Sequence, residues 1–479
     1  MGLQLGGPAG AGSVPWKDAL VFSGASILMI ALLLAPALWN AFPILQYDTG
    51  GYLARWYEGY LVPSRPAAYG LLLTTTIPFH FWPVVLLQAA ATIWVLALLL
   101  REFALGQRPF WLLAAVVVLS LATTLPWLVS MLLTDIFAGL AVLALYLVVF
   151  GRTPRRRERW GLIAIVAFAV ASHSATLAMF AVLTVFVVTL AWLRQDVVAP
   201  QRARLPGVAL VLGVVWTLSA NYVVSSRFAF PPGGYGILFG RMLEDGIVSR
   251  YLDDHCPDTK LRLCAVRREI PRTADAFLWG NSAFNDLGRF AGLGDEMRRI
   301  VLGSVRAYPG MQVRTALVAT ARQLTKIASG EGVIHQLWHT YGIMERFTPG
   351  IVPAMRAARQ QRGDISFTLF NLLHVPVGLL SALLLPTLIL VGWRWTALGD
   401  VGRLAASVSC AILVNAAVCG ALSNPHDRYG ARLIWLALLT VGIAAARVCL
   451  HVRAPVRAPA VGAPAPAPVL VRLREASGA

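Results

Sequence analysis

Long runs of apolar residues, separated by short basic turns, constrain this chain more than any other feature. A helix needs roughly 20 apolar residues to cross a hydrocarbon core of about 30 Å. Runs of about this length recur along the 479 residues, of which 57% are hydrophobic and only 13% are charged. A soluble protein would carry about 25% charged residues. The sequence therefore predicts an all-α polytopic membrane protein.

The arginines between these runs predict the topology. Arg101, Arg108 and the RTPRRRER turn at 152–159 fall on one side, together with the N-terminus, if residues 66–80 do not cross the membrane fully; if they crossed, these basic loops would lie outside. The positive-inside rule makes that side cytoplasmic. We therefore predict a shallow or re-entrant helix at 66–80, both termini in the cytoplasm and about ten full spans. The predicted spans are 18–39, 82–101, 110–129, 134–151, 160–172, 174–194, 206–224, 367–392, 403–421 and 431–450.

The same pattern divides the chain into four parts. Residues 1–224 form an N-terminal transmembrane module, whose first outer loop at 40–81 carries interfacial helices. Residues 225–366 form a larger, mainly helical extracytoplasmic segment, and 367–450 form the C-terminal membrane helices. Residues 451–479 are rich in alanine and proline and are predicted to be a disordered cytoplasmic tail. The predicted location is a bacterial-type plasma (inner) membrane.

The formal charge of +18 does not indicate nucleic-acid binding. Basic residues gather in short turns between apolar runs, which is typical of a cytoplasmic membrane face. The partners predicted from composition are membrane lipids, and the sequence identifies no protein partner.

Two of the five cysteines lie close together in the predicted outer segment. In HCPDTKLRLC, Cys256 and Cys264 are separated by seven residues, and an oxidising compartment favours their pairing as a disulfide. Zinc binding by His255, Cys256 and Cys264 is the alternative, but a fourth ligand is missing. Cys410, Cys419 and Cys449 fall in membrane helices and look like small packing residues.

Polar side chains from distant parts of the chain fall on the predicted outer side. An ionisable group at membrane depth is costly, so each is a functional candidate. Asp48 follows the first span, Asp135 opens the fourth, and His173 lies in an outer turn between two short helices. The other members of the set are Tyr47, Arg65, Tyr69, His426, Asp427, Arg428 and Tyr429.

Ordinary structural roles compete with function for these residues. Asp135 could cap its helix with Thr134, and Asp48 could cap the segment that follows it. His173 could satisfy backbone groups in a tight turn, and Asp427 could pair with Arg428. The aromatic residues of the first outer loop fit an interfacial aromatic belt whatever the function: Tyr52, Trp56, Tyr57 and Tyr60.

The order of these motifs resembles the GT-C superfamily of membrane glycosyltransferases, which take a sugar from a polyprenyl-phosphate carrier. It is similar to the protein O-mannosyltransferases and the lipid A aminoarabinose transferases. An aspartate follows the first span in QYDTGGY, and an Arg-Pro-x-x-Tyr stretch, SRPAAYGLLL, leads into a shallow helix. An acid opens the fourth span, and an outer Arg-Tyr pair enters the last helix, here Asp135, Arg428 and Tyr429. The motifs match best over roughly the first 200 residues.

This resemblance implies an inverting transferase that moves a sugar from polyprenyl phosphate to an acceptor hydroxyl at the outer face. Asp48 would be the catalytic base. The phosphate contacts would be Arg65, His173 and Arg428, and the sugar contacts would be Asp135, Tyr47 and Tyr429. Many relatives have a lysine in place of His173, and some have paired acids in the first outer loop, where this chain has Asp48 and, ten residues on, Glu58. No cofactor is certain, and a divalent metal is possible.

Two other classes of function compete with transfer. A transporter or flippase of a lipid-linked sugar would also place polar groups in a helical bundle, but near the midplane and with access from both sides. A non-catalytic assembly protein would use the outer segment to dock a partner, and its Asp48 region would be closed.

Overall fold

The computed structural model describes residues 16–59, 65–106, 109–256 and 261–453. Over these ranges the secondary structure is helical, with one isolated parallel bridge between Ile44 and Met131. The all-α class is therefore confirmed. Of the predicted disordered tail, residues 451–453 continue the last helix, and residues 454–479 lie outside the described part of the chain.

Six helices in the described ranges are long and apolar enough to cross a membrane, which makes this a multi-pass membrane protein. Three shorter apolar stretches, Gly24–Leu33, Pro109–Ala122 and Asp135–Val149, accompany them. The count of about ten spans stays a prediction. The six are α5 (Trp82–Glu102), α10 (Ser174–Leu193), α11 (Pro200–Ser225), α20 (Thr368–Arg394), α21 (Gly399–Leu422, extended by the turn before it) and α22 (Asp427–Arg453).

The segment at 66–80, predicted to be a shallow or re-entrant helix, contains a short helix followed by a 3-10 turn at Ile77–Phe79. Seven helical residues span only about 10 Å, far less than a hydrocarbon core. The other helices of the N-terminal part are α1 (Trp16–Leu33), α2 (Ala35–Asn40), α3 (Thr49–Glu58), α4 (Ala68–Thr74), α6 (Pro109–Ala122), α7 (Leu125–Ser130), α8 (Asp135–Val149) and α9 (Arg156–Ser172).

Contacts between connecting segments define two ends of the bundle. At one end, which we call the arginine face, Arg101 pairs with Glu158 and Arg447 donates to the carbonyl of Phe103. At the other end, the Asp48 face, the amide of Ala67 donates to Asn221 and the hydroxyl of Thr49 donates to the carbonyl of Leu132. The basic turns and the polar loops that the sequence predicts to be outer thus lie at opposite ends of the same bundle.

The first half of the segment between α11 and α20 has an apolar core of its own. Its buried side chains include Phe239, Leu252, Phe277 and Ile300. Cys256 and Cys264 form a disulfide with their Cα atoms 5.2 Å apart. The helices of this unit are α12 (Gly234–Glu244), α13 (Ile247–His255), α14 (Ala274–Leu278), α15 (Ala283–Asp286) and α16 (Arg289–Ala307).

The second half of that segment packs onto the membrane helices. Its elements are α17 (Pro309–Thr325), α18 (Trp338–Phe347) and α19 (Val352–Ala357). A Cβ on Gly420 would lie 2.7 Å from the carbonyl oxygen of Ala319, and one on Gly430 would lie 2.0 Å from that of Lys326. These two glycines let α17 approach closely along α21 and the start of α22. The loop after α17 is thereby carried to the Asp48 face.

Candidate functional site

The segment that carries Asp48 is fixed by pairing with the chain before α8. The amide of Ile44 donates to the carbonyl of Ser130 at 2.9 Å, and the amide of Leu132 donates to that of Ile44 at 2.9 Å. Thr49 adds a side-chain bond to the carbonyl of Leu132 at 3.0 Å. Because Asp135 follows Leu132 by three residues, this short parallel pairing brings the two acids together.

Two buried glutamines also hold this segment: Gln46 lies within it, and Gln360 contacts it from the chain after α19. The side-chain amide of Gln360 accepts from the Leu45 amide at 3.0 Å and donates to the Leu45 carbonyl at 2.7 Å. Gln46 accepts from the Asp48 amide at 2.7 Å. Gly332, at φ +78°, lies against Gln46, since a Cβ there would be 2.2 Å from its Nε2 atom. The backbone around Asp48 is therefore fixed on both sides.

Asp48 precedes α3, but its carboxylate makes no capping bond to that helix. One oxygen accepts from Arg65, and the other accepts from Nη1 of Arg428 at 2.6 Å. Only 17% of the side chain is exposed. Burial alone would raise the pKa of Asp48, yet the charges and hydrogen bonds of Arg65 and Arg428 hold it well below its ordinary value. Asp48 thus serves as an anionic centre, and its expected alternative as a helix cap is not seen.

Asp135 is the first residue of α8, and it too makes no capping contact with Thr134. Its Oδ2 atom accepts from Nε of Arg428 at 2.7 Å, in a side chain that is only 2% exposed. Arg428 therefore bridges Asp48 and Asp135, which lie 87 residues apart in the chain. The helix N-terminus adds a further favourable field for the Asp135 charge.

Arg432 completes the cluster, and the sequence reasoning missed it. It lies one turn after Arg428 on α22 and is buried, with Nη1 3.7 Å from Asp135 Oδ1. Its guanidinium donates to Asn415 at 2.6 and 3.1 Å and lies 3.4 Å from Nδ1 of His173. An arginine in the first turns of an apolar helix is the signal that could have identified it.

The cluster holds more positive than negative charge. Asp48 and Asp135 face three guanidiniums, those of Arg65, Arg428 and Arg432. Arg65 Nε and Arg428 Nη2 are buried donors without a hydrogen-bond partner among the described residues, and unpaired buried donors are costly. An anion at this place would supply both the missing charge and the missing acceptors.

A second buried pair borders the cluster. Nδ1 of His426 lies 2.6 Å from Oε1 of Glu331, whose other oxygen accepts from the Arg428 amide at 2.8 Å. Burial alone would lower the pKa of His426, but the hydrogen bond and charge of Glu331 raise it above the ordinary value. The sequence reasoning missed Glu331. Its signal is a lone acid between Gly330 and Gly332, both at positive φ.

The other predicted site residues lie around the cluster or away from it. The ring of Tyr429 has Arg428 and Arg432 over it at 5.6 and 5.4 Å. Tyr47 is 42% exposed beside Gly332.

Tyr69 and Asp427 contact other groups of the protein. Tyr69 is fully buried and donates to Gln88 at 3.1 Å. Asp427 accepts from the Ala328 amide at 2.9 Å and lies 3.9 Å from Lys326, so it does not form the considered pair with Arg428.

The cluster does not resemble a metal site. The described residues include no group of three or more His, Cys, Asp or Glu side chains placed to hold a metal ion. Both carboxylates of the cluster already have arginine partners, which compete with a cation. We therefore derive no step that passes through a metal.

A cavity of about 250 Å³ lies next to the Asp48 segment. Gln360, which holds Leu45, also contributes to its wall. A small molecule bound there would lie beside the segment that leads to Asp48. The other lining residues are Val333, Ile334, His335, Gln336, Gly363 and Ile365.

Comparison of the chain with protein-family models, curated proteins and solved structures finds no match in any of the three.

Proposed function

We propose that this protein transfers a sugar from a polyprenyl-phosphate donor to an acceptor hydroxyl at the outer face of the membrane, in the modification of a cell-envelope glycan or lipid. One observation carries the proposal. A buried aspartate, Asp48, lies in contact with two arginines in a cluster that holds three guanidiniums and two carboxylates. The resemblance of the surrounding motifs to the GT-C superfamily supports the same function.

The reaction needs a base and an anion site next to each other. The acceptor oxygen attacks the anomeric carbon of the sugar, and its proton passes to the Asp48 carboxylate. The bond between that carbon and the phosphate oxygen breaks, and its electron pair leaves with the phosphate. A phosphodiester with one negative charge thus becomes a phosphate monoester with up to two.

The arginines suit the leaving group. Arg65 and Arg428 each keep a buried N–H with no partner in the described part of the chain, and fixed donors that face a developing negative charge stabilise the transition state. Arg432 lies deeper and holds Asp135 and His173 in place. In this proposal Tyr429, which lies next to both arginines, contacts the sugar, and His173 is the hydrogen-bond partner of Arg432.

The membrane fits a lipid-linked donor. We propose about ten spans with both termini in the cytoplasm of a bacterial-type cell, so that the Asp48 face is the outer face of the inner membrane. A polyprenyl chain would then enter between helices while its phosphate reaches the arginines. The unit with α12 to α16 would cover the site, since Arg241 donates to Asn424 at 3.5 Å and Asp275 lies 3.9 Å from His426.

Mass spectrometry of a deletion strain tests this function. The strain is complemented with the wild-type protein, with Asp48→Asn, or with Glu158→Gln at the arginine face, and expression is matched. Envelope glycans and polyprenyl-phosphate sugars are then quantified. We expect Asp48→Asn to behave as the deletion, with one sugar missing from the envelope and its lipid donor accumulating. Glu158→Gln should restore the envelope sugar and return the donor to its wild-type level. An unchanged profile in the deletion strain would contradict the transferase and favour a transporter or an assembly protein.

A further inference from the structure

The side chain of Arg65 reaches Asp48 by lying across a glycine. A Cβ built on Gly51, in the first turn of α3, would be 2.9 Å from both Cδ and Nε of Arg65 and 3.4 Å from its Cζ. Carbon atoms in ordinary contact are about 3.5–4.0 Å apart. The missing side chain at Gly51 therefore makes the room in which Arg65 extends to the carboxylate.

Arg65 is held far less firmly than Arg428. The guanidinium of Arg65 donates to Asp48, and its Nε is a buried donor without a partner among the described residues. Arg428 instead contacts Asp48 and Asp135, lies over the Tyr429 ring and is fixed through its own amide by Glu331. Of the two cations on Asp48, Arg65 is the one that can leave without breaking a second ion pair.

We propose that Gly51 seats Arg65 as a removable counter-ion of Asp48, and that the phosphate of a lipid-linked sugar draws Arg65 away when it binds. The identity of the anion rests on the proposed function, whereas the role of Gly51 rests on the contact with Arg65. In this account Gly51 is a positioning residue, and Arg65, which goes on to contact the donor phosphate, keeps Asp48 inactive as a base until the donor is present.

The physical reason is competition for one cation. A carboxylate with a guanidinium on each oxygen binds a proton poorly, so it is a weak general base. A phosphate that takes Arg65 over leaves Asp48 with one cation and raises its proton affinity. The same step places Arg65 on the group that will leave. Donor binding would then activate the base and prepare the leaving group in the same step. Without a donor, Asp48 would keep both arginines and would not activate water.

The first test measures the charge state of Asp48 without any turnover. Full-length protein in phosphatidylcholine nanodiscs is treated with a carbodiimide and an amine at several pH values, and labelling of the Asp48 peptide is quantified by mass spectrometry. Gly51→Ala is the informative variant, because alanine favours a helix over glycine and the flexible Arg65 side chain is the group that must move. Gly342→Ala is its control, since a Cβ there meets no atom within 4 Å.

We expect Gly51→Ala and Arg65→Gln to label Asp48 about tenfold faster than wild type at one pH, which corresponds to a pKa increase of about one unit. Gly342→Ala should label as wild type. If Gly51→Ala labels at the wild-type rate while Arg65→Gln labels faster, Gly51 does not position Arg65 and that part of the inference is wrong. If Arg65→Gln also labels at the wild-type rate, Arg65 does not control Asp48 and the inference fails altogether.

The second test measures the exchange itself with farnesyl phosphate as the probe. Because Asp48 competes with the phosphate for Arg65, Asp48→Asn should bind farnesyl phosphate about tenfold more tightly than wild type, and this gain should disappear in the Arg65→Gln background. An equal gain in both backgrounds would overturn the exchange. Inorganic phosphate is the second arm: if it binds as tightly as farnesyl phosphate, the exchange stands but the lipid-linked donor of the proposed function does not.

Discussion

Both ends of the bundle join distant segments through an arginine and an acid, but the two ends use these charges differently. At the arginine face, Arg101 donates to both oxygens of Glu158, which also accepts from the Arg155 amide and so caps α9. Glu102 accepts from the backbone of Arg152 and Thr153. The carboxylate oxygens of these acids accept hydrogen bonds from backbone amides and from partly exposed side chains. These acids therefore stabilise the contacts between helices.

At the Asp48 face the acids also begin helices, but they leave the helix ends uncapped. Asp48 and Asp135 are shared among arginines, and Arg65 and Arg428 keep buried N–H donors that no described residue accepts from. If this end needed only to hold its helices together, apolar packing would stabilise it at least as well, because buried ion pairs contribute little net stability. We therefore propose that the Asp48 face binds a ligand, whereas the contacts of the arginine face stabilise the fold.

The largest effect should come from removing the bridge at the Asp48 face. Arg428→Ala leaves Asp48 and Asp135 with fewer cations in a buried site, and breaking a buried pair costs about 3–5 kcal/mol. We expect unfolding in mixed micelles to report a loss of that size. Arg356→Ala, which breaks the exposed pair with Glu345, should stay within about 0.5 kcal/mol of wild type. Equal effects of the two variants would contradict the distinction between the two kinds of pair.

A smaller effect should come from the arginine face. Glu158→Gln weakens the cap of α9 and the pair with Arg101, and loss of a cap costs about 1 kcal/mol. We expect that loss in the same unfolding experiment, with the envelope glycan profile unchanged. A lost glycan in a strain with normal protein levels would show that the two faces are not separate in function.

The sequence predicted which residues come together in the cluster. It did not predict the contacts that hold them in place. Asp48, Arg65, Asp135 and Arg428 were expected on one face because topology places their loops there, and the structure brings them into contact. The positive-inside rule uses loop charge alone, so it groups loops by side without describing the contacts between them.

Tertiary contacts account for what the sequence reasoning missed. Glu331 lies in a segment that the sequence presents as a separate outer unit, and only the approach of α17 to Gly420 and Gly430 shows that the segment returns to the site. The amide of Gln360 bonds a backbone 315 residues away, which no local pattern signals. Tyr69 was predicted to bind substrate from its place in the SRPAAY stretch, whereas its burial against Gln88 depends on neighbouring helices.

The smallest effect is a pH dependence at the border of the cluster. The folded pKa of His426 is raised, so the stability from its pair is complete below the unfolded value of 6.5 and is lost as the pH rises through the folded value. The folded pKa of Glu331 is lowered despite burial, so its contribution is complete above 4.5 and is lost as the pH falls.

His426→Gln should therefore destabilise the protein more at pH 5.5 than at pH 9, as measured by thermal unfolding at both values. The double variant with Glu331→Gln provides the control, because without the carboxylate this pH difference should largely vanish. A His426→Gln effect of the same size at both values would show that the charge of His426 does not support the fold.

Binding of a lipid phosphate tests the central claim most directly. Purified protein is mixed with farnesyl phosphate or farnesol at equal concentration, and bound lipid is measured by native mass spectrometry for wild type, Arg428→Gln and Arg101→Gln. We predict that wild type and Arg101→Gln retain farnesyl phosphate but not farnesol, and that Arg428→Gln loses the phosphate at least tenfold. Equal binding of the two lipids, or full retention of farnesyl phosphate by Arg428→Gln, would contradict a phosphate site at the Asp48 face.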